Sequence, residues 1–272
     1  MSEFTLDQNA IGFFVYTYFG IAFEELIDGN KKDDIIIKCA KRAYRDLNRT
    51  LSFKDDLSAT DLKESEKNGL GDQHESFCKF ICNEIKEYIA ELLTATSRDA
   101  FDEKHDTICC AIIDKATASG LLSEIKHRKS EHKRVASCFY YGQAQKWLNM
   151  TLKYMWLLGL WKEEFENVLP FLHVPVDSFI IEAVWHEGQP ENDKEQLINQ
   201  KFDDWSIVLP CDKKDRRGKY NQDKIIPWSK WTYNEYYKFQ KDIRESPLLD
   251  GMYPIVWEGP AWSSIAEKRR TV

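Results

Sequence analysis

Proline placement constrains this chain more than any other single feature. All eight prolines of the 272 residues fall between Pro170 and Pro260, and residues 1–169 contain none. A proline inside a helix removes a backbone donor and collides with the preceding turn. A proline-free run of that length therefore predicts long helices in the front of the chain. Shorter, punctuated elements are expected behind it, and all nine tryptophans fall in the later part of the chain, between Trp147 and Trp262. With 12 Gly and 8 Pro the chain falls well below the roughly 12% ordinary for the two together. That excludes a loop-rich sandwich, a collagen-like chain and a low-complexity one. The expected fold class is mostly α, a compact multi-helix fold. Residues 1–272 are expected to form a single helical unit. The composition also allows two lobes with a cleft between them: a helical scaffold over 1–136 and a hairpin-like, catalytic region over 137–272.

The formal net charge of −7 excludes a uniformly basic nucleic-acid coat and argues against a polybasic membrane binder. A hydrophobic fraction of 43% with 13% aromatics excludes disorder. Seven cysteines, an odd number, sit mostly inside apolar helical patterns, as reduced buried thiols do. The opening Met-Ser-Glu-Phe has no positively charged leader region. The longest apolar stretch, Trp147 to Trp161, is interrupted by Asn149 and Lys153 and is too short to span a bilayer. A soluble cytoplasmic protein with no membrane partner is expected.

Periodicity places the helices. Over 9–27, Phe13, Tyr16, Tyr18, Phe19, Ile21 and Phe23 cover much of the circumference, predicting one largely buried helix with Gly12 and Gly20 as weak breakers. Over 33–48, Ile36, Ile37, Ala40, Ala43, Tyr44 and Leu47 recur at helical spacing, and Asp33 and Asp34 occupy the first turn, where the helix dipole favours them. The polar residues 52–72, with Gly69 and Gly71, predict a short helix and a loop. The clearest amphipathic helix is 73–95, with Phe77, Phe80, Ile81, Ile85, Tyr88, Ile89, Leu92 and Leu93 on one stripe. Further helices are expected over about 100–118 with a stop at Gly120, over 143–158 with a stop at Gly159, and over 178–186. Thr232-Tyr-Asn-Glu235 has capping-box spacing and opens a helix to about 245. A short hairpin near 206–226 is the one strand candidate. Two stretches are basic: 126–134, with five Lys/Arg against one Glu, and 212–224, with six Lys/Arg against three Asp. By default both are solvated faces.

The chain has no phosphate-cradling glycine loop, no dinucleotide fingerprint, no paired CxxC and no HExxH. Two segments carry candidate chemistry. In Tyr141-Gly142-Gln143-Ala144-Gln145-Lys146-Trp147-Leu148-Asn149 a glycine precedes by four residues a lysine near a helix start. Such a turn can point backbone N–H groups at a phosphate. A lysine in an apolar, aromatic setting can lose its proton and act as a nucleophile. Asn149 and Lys153 share its helical face. The second segment, Pro175-Val176-Asp177-Ser178, puts a carboxylate at a helix N-terminus, 31 residues after Lys146.

Gly142-x-Ala144-x-Lys146, followed after a helix by Pro175-Val176-Asp177-Ser178, resembles the signature of the helix-hairpin-helix DNA glycosylases. The long separation of lysine and aspartate is most similar to the archaeal 8-oxoguanine DNA glycosylase branch. The resemblance covers residues 138–186, about a fifth of the chain. Phe139-Tyr140-Tyr141 stands where that family has Leu-Pro-Gly, Ala144 replaces the second hairpin glycine, and Phe179 replaces a histidine. The four-cysteine iron–sulfur pattern of some relatives is absent. The resemblance implies an enzyme that flips a damaged or modified base out of duplex DNA and cleaves its glycosidic bond. Asp177 would stabilise the positive charge developing on the sugar. Lys146 would attack C1′, or else contact phosphate while water attacks. Gly142, Gln143, Gln145, Asn149 and Lys153 are the candidate substrate contacts, and Trp147 and Trp262 the candidate stacking residues. Oxidised guanine and an unusual modified base, such as phage DNA carries, are equally open as substrate. Duplex DNA is the expected partner, with no obligatory protein partner, and no cofactor or metal is expected. The two basic stretches are the candidate phosphate contacts.

Plainer readings stand beside these. Asp177 serves equally as a helix cap, and Lys146 as a lysine snorkelling from a buried helix. On that account the chain is a non-enzymatic helical interaction protein. His74, Cys78 and Cys82 share a helix face and, with Cys109 or Cys110, outline a zinc set, but without the short-loop ligand pairs of structural zinc they read better as buried thiols.

Overall fold

Ten α-helices make up the regular structure of the described residues, which in this computed structural model are 7–28, 31–51, 53, 68–122, 139–187, 207, 209–210 and 225–271. The fold is mostly α, as the proline placement predicts. Among the described residues an isolated antiparallel bridge joins Phe53 and Leu122. The chain divides into two compact units, one of Met1–Phe139 and Met150–Val168, the other of Tyr140–Asn149 and Leu169–Val272. The division does not follow a single cut at 136/137, because residues 150–168 return to the first unit.

The first unit holds α1 (Gln8–Phe19), α2 (Phe23–Ile27), α3 (Lys32–Leu47), α4 (Asn68–Leu92), α5 (Arg98–Ala118), the second half of α6 (Tyr141–Leu158) and α7 (Lys162–Val168). α4 packs against both α3 and α5. Its stripe of Phe77, Ile81, Ile85, Ile89 and Leu92 is buried, as are Ile35, Ile36, Cys39 and Leu47 of α3 and Phe101, Ile108 and Ile112 of α5. Apolar residues three and four apart line one side of each helix, and burying that side stabilises it far more than intrinsic propensity does. α5 ends before Gly120 and α6 before Gly159, both with left-handed φ (+66° and +73°), as their sequence stops predict.

Two departures in this unit have clear causes. The predicted helix over 9–27 breaks at Gly20, whose φ of +68° ends α1, and Phe13, Phe14 and Tyr16 are exposed rather than buried. α1 turns its Gly12 side inward, where an added Cβ would meet Phe23 at 3.3 Å, and leaves the opposite side in solvent. Aromatic residues around a helix therefore do not by themselves mean burial. The second departure is α4, which begins at Asn68 and contains Gly69 and Gly71, where a loop is expected. The two glycines cost about 1 kcal/mol each, and the long apolar stripe that follows outweighs them.

The second unit holds the start of α6, a 3-10 turn (Leu169–Phe171), an extended strap over 172–177, α8 (Ser178–Glu187), α9 (Tyr233–Arg244) and α10 (Pro254–Arg270). α9 opens with the predicted capping box, Glu235 accepting from the Thr232 backbone N–H at 2.7 Å. α10 is a helix the sequence does not announce. Pro254 sits at its first position, where a missing N–H costs nothing, and Pro260 lies inside it. Packing of α10 on α8 buries Ile255, Trp257, Ala261 and Ile265 and overrides the internal proline. Of the hairpin candidate near 206–226, the Ile226 N–H donates to the Pro210 carbonyl at 2.9 Å, and residues 211–224 between them lie outside the described residues. The basic stretches 126–134 and 212–224, with Cys138 and Cys211, also lie outside them.

Candidate active site

α6 starts on a closed set of hydrogen bonds. The Gly142 N–H donates to the Trp231 carbonyl at 3.0 Å, and the Gln143 and Ala144 N–H groups donate to the Tyr140 carbonyl at 3.0 and 3.2 Å. The Gln143 side chain returns to accept the Tyr140 N–H at 2.9 Å. The first-turn donors at 142–144 are thus used within the chain, which corrects the expectation that Gly142 aims its N–H at a phosphate. Glycine at 142 has a steric cause instead: a Cβ there would lie 1.8 Å from the Trp228 carbonyl oxygen. The residues that would form the first part of a hairpin, up to Cys138, lie outside the described residues.

One turn further on, Lys146 is buried, its side chain only 3% exposed, and its ammonium donates to Asp177 Oδ2 at 2.8 Å. Asp177 ends the strap and caps α8, Oδ1 accepting the N–H of Phe179 at 2.9 Å and of Ile180 at 3.0 Å. Oδ2 also accepts the Trp262 indole N–H at 3.3 Å. Four donors meet the four lone-pair directions of one carboxylate. Burial pushes the Asp177 carboxyl up, but the Lys146 ammonium and the backbone N–H groups of Ile180 and Phe179 outweigh it and hold the group below its ordinary value. Asp177 is therefore an ionised carboxylate at neutral pH, with its side chain 15% exposed. Such a group can stabilise a cation formed beside it.

A buried polar lattice places this pair. Among the described residues the strap pairs with no strand, so its backbone groups need other partners. Gln240 of α9 supplies them at Val174, accepting its N–H at 3.0 Å and donating to its carbonyl at 2.8 Å. Gln145 donates to the Gly142 carbonyl at 2.8 Å and the Val176 carbonyl at 3.4 Å. Asn149 donates to Gln145 Oε1 at 3.0 Å and to the Tyr236 hydroxyl at 2.8 Å, and that hydroxyl lies 2.7 Å from His173 Nδ1. Gln145, Asn149, His173, Tyr236 and Gln240 are all buried.

The sequence-predicted residues thus separate into groups. Lys146, Asp177 and Trp262 come together. Gln143, Gln145 and Asn149 are buried and hydrogen-bonded within the chain, Gln145 reaching the strap at Val176. Trp147 is fully buried, a correction to its role as a stacking candidate: it fills core and offers no face to a base. Lys153 lies two turns along α6 from Lys146, about 10 Å along the axis, in the part that belongs to the first unit. Trp262 is 37% exposed, one face stacked on Phe179 with ring centres 4.7 Å apart. Arg269 covers Phe179 at 4.1 Å and is bound in turn by Glu182. Gln240 and Tyr236 are the supporting residues that sequence reasoning misses. Their signal is a glutamine and a tyrosine on the α9 stripe that also carries Phe239 and Ile243.

In the first unit, His74 Nδ1 lies 3.4 Å from the Tyr44 hydroxyl, and the Cys78 and Cys82 sulfurs are 3.8 Å apart. Among the described residues no group of three or more His, Cys, Asp or Glu side chains is arranged to hold a metal ion. Nor, among them, is any helix long and apolar enough to cross a membrane. No family model, no curated protein and no solved structure matches the chain.

Proposed function

We propose that this chain is a DNA N-glycosylase that flips a damaged or modified base and cleaves its glycosidic bond. The observation that carries the reading is the buried Lys146–Asp177 pair, closed at 2.8 Å between residues 31 apart, with an exposed indole on the same carboxylate oxygen. The resemblance over 138–186 supplies the reaction class. Breaking the bond to the base leaves positive charge on the sugar, and the ionised Asp177 stabilises it in a setting of low dielectric. The base departs as an anion and takes a proton from the Lys146 ammonium. The amine so freed attacks C1′, and opening of the sugar ring gives a Schiff base. The burial of Lys146 and its bond to Asp177 favour this role over a phosphate contact. Trp262 is the candidate surface for the extruded base.

A second reading has its own observation. Asp177 Oδ1 caps α8 through Phe179 and Ile180, as it would in a helical interaction protein without catalysis. One experiment separates the two. The protein is incubated with a panel of modified-base duplexes, followed by alkali to reveal abasic sites, alongside Asp177→Asn and Lys146→Gln. Base release by the wild type that falls at least 100-fold in Asp177→Asn supports the glycosylase. Release that survives in Asp177→Asn, or none from any duplex, favours the cap. Borohydride trapping that requires Lys146 identifies it as the nucleophile.

A further inference from the structure

α1 is a helix held firmly in place whose outer side is left bare. The Tyr18 hydroxyl accepts from Arg42 Nη2 at 2.6 Å and lies 3.1 Å from the Tyr154 hydroxyl, which donates to Asp46 Oδ2 at 2.6 Å. Arg42 Nη1 closes the network on Asp46 Oδ1 at 2.8 Å, its guanidinium stacks 4.0 Å over the Tyr18 ring, and Phe19 meets Tyr154 edge-on at 5.2 Å. These bonds fix α1 on α3 and α6. Yet Phe13 is 66% exposed, Phe14 60%, Tyr16 62%, Tyr18 43% and Ile11 39%. The 12 residues of α1, from Gln8 to Phe19, include no charged side chain.

We infer that this side of α1 is the contact between two copies of the chain, packed about a twofold axis so that Phe13, Phe14 and Tyr16 of each meet the same residues of the other. Three properties of this side select a second copy. The first is area: an aromatic side chain offers roughly 200 Å², so at these exposures the five residues leave roughly 500 Å² in solvent. Joining two such faces covers at most roughly 1,000 Å², the small end for a specific interface. The second is charge. Each chain carries −7, and an uncharged helix is a surface on which two such chains meet without bringing like charges together. The third is chemistry: a helix that lies on a lipid surface has Lys and Arg along its polar face, and α1 has neither. Aromatic rings on a preformed helix also bring large contact area at small entropic cost.

The test is the mass of the full chain by analytical ultracentrifugation from about 1 to 100 µM, since small interfaces are weak and transient. The wild type should move from the mass of one chain, 32.0 kDa, toward twice that. Phe13→Glu with Tyr16→Glu should stay at 32.0 kDa, with helical circular dichroism and melting temperature unchanged, because neither side chain supports the core. If that pair lowers helicity, Phe14→Lys alone is the second variant, with the same loss expected. A wild type that stays monomeric throughout overturns the inference. So does a dimer that survives both sets of substitutions, and so does monomeric partition onto phosphatidylcholine vesicles, which would assign the face to lipid.

Discussion

Lys146 and Asp177 meet at 2.8 Å, and each is the other's only oppositely charged partner among the described residues. With Lys146 buried, removing one member leaves the other charged and uncompensated. Lys146→Gln is therefore expected to destabilise the protein by about 3 kcal/mol. Adding Asp177→Asn should restore part of the loss, since asparagine still caps α8 and no charge is stranded. Urea unfolding of the wild type, the two single variants and the double variant measures the coupling, expected to be at least about 1 kcal/mol. Additive effects would mean that the pair is spaced for the fold alone.

The same pair sets a pH dependence. Asp177 is held below its ordinary value of 3.8, so on acidification the unfolded chain takes up this proton before the folded one does. The stability it contributes is present in full above that ordinary value. It is lost as the pH falls from there through the lower folded value. Urea midpoints measured from pH 7 down to about 3 should begin to draw together for wild type and Asp177→Asn once the pH falls below that ordinary value. A gap that stays constant across the range would show that the carboxylate's charge contributes nothing.

Gly142 and Gly159 predict costs of different size. At 142 a Cβ would sit 1.8 Å from the Trp228 carbonyl oxygen, so backbone must move, and Gly142→Ala should cost about 3 kcal/mol. At 159 nothing lies within 4 Å of an added Cβ, but φ is +73°, so Gly159→Ala should cost only about 1 kcal/mol. Equal losses in chemical denaturation would contradict the close approach at 142.

These glycines also show what the sequence makes legible. Gly159 is readable because a glycine after an apolar helical run is a local signal. Gly142 is readable only as something special before a lysine: its cause is Trp228, 86 positions on, and no spacing rule reaches that far. The Lys146–Asp177 pair is legible only through the family resemblance, since neither residue's neighbours point to the other. Burial of the α3, α4 and α5 stripes follows directly from period 3.6. Exposure on α1 does not, because an aromatic residue records hydrophobicity and not whether a neighbour exists to cover it. α10 is hidden because Pro254 and Pro260 look like breaks, while what holds it is tertiary, its packing on α8.

Gln240 gives the sharpest separation of positioning from contact. Its amide is the bidentate partner of Val174 in a strap without a sheet, three residues before Asp177. Gln240→Leu leaves one buried N–H and one buried carbonyl without partners, a loss of about 3 kcal/mol at 1–3 kcal/mol for each group. In Gln240→Glu burial favours the protonated carboxyl, which keeps an acceptor for the Val174 N–H and an O–H donor for its carbonyl at the cost of holding that proton, so it should fall between. Trp262→Phe removes only the 3.3 Å bond to Asp177 from a residue that is 37% exposed, and should cost less than about 1 kcal/mol. On the proposed activity the order changes. Trp262→Phe, next to the reacting carboxylate, should weaken substrate binding and raise KM in a folded, stable protein. Gln240→Leu should lower kcat through a displaced Asp177, and Gln240→Glu should recover part of it. Thermal melts and single-turnover base release on the same preparations distinguish the two: a stability order that also ranked base release would mean that both residues act only through the fold.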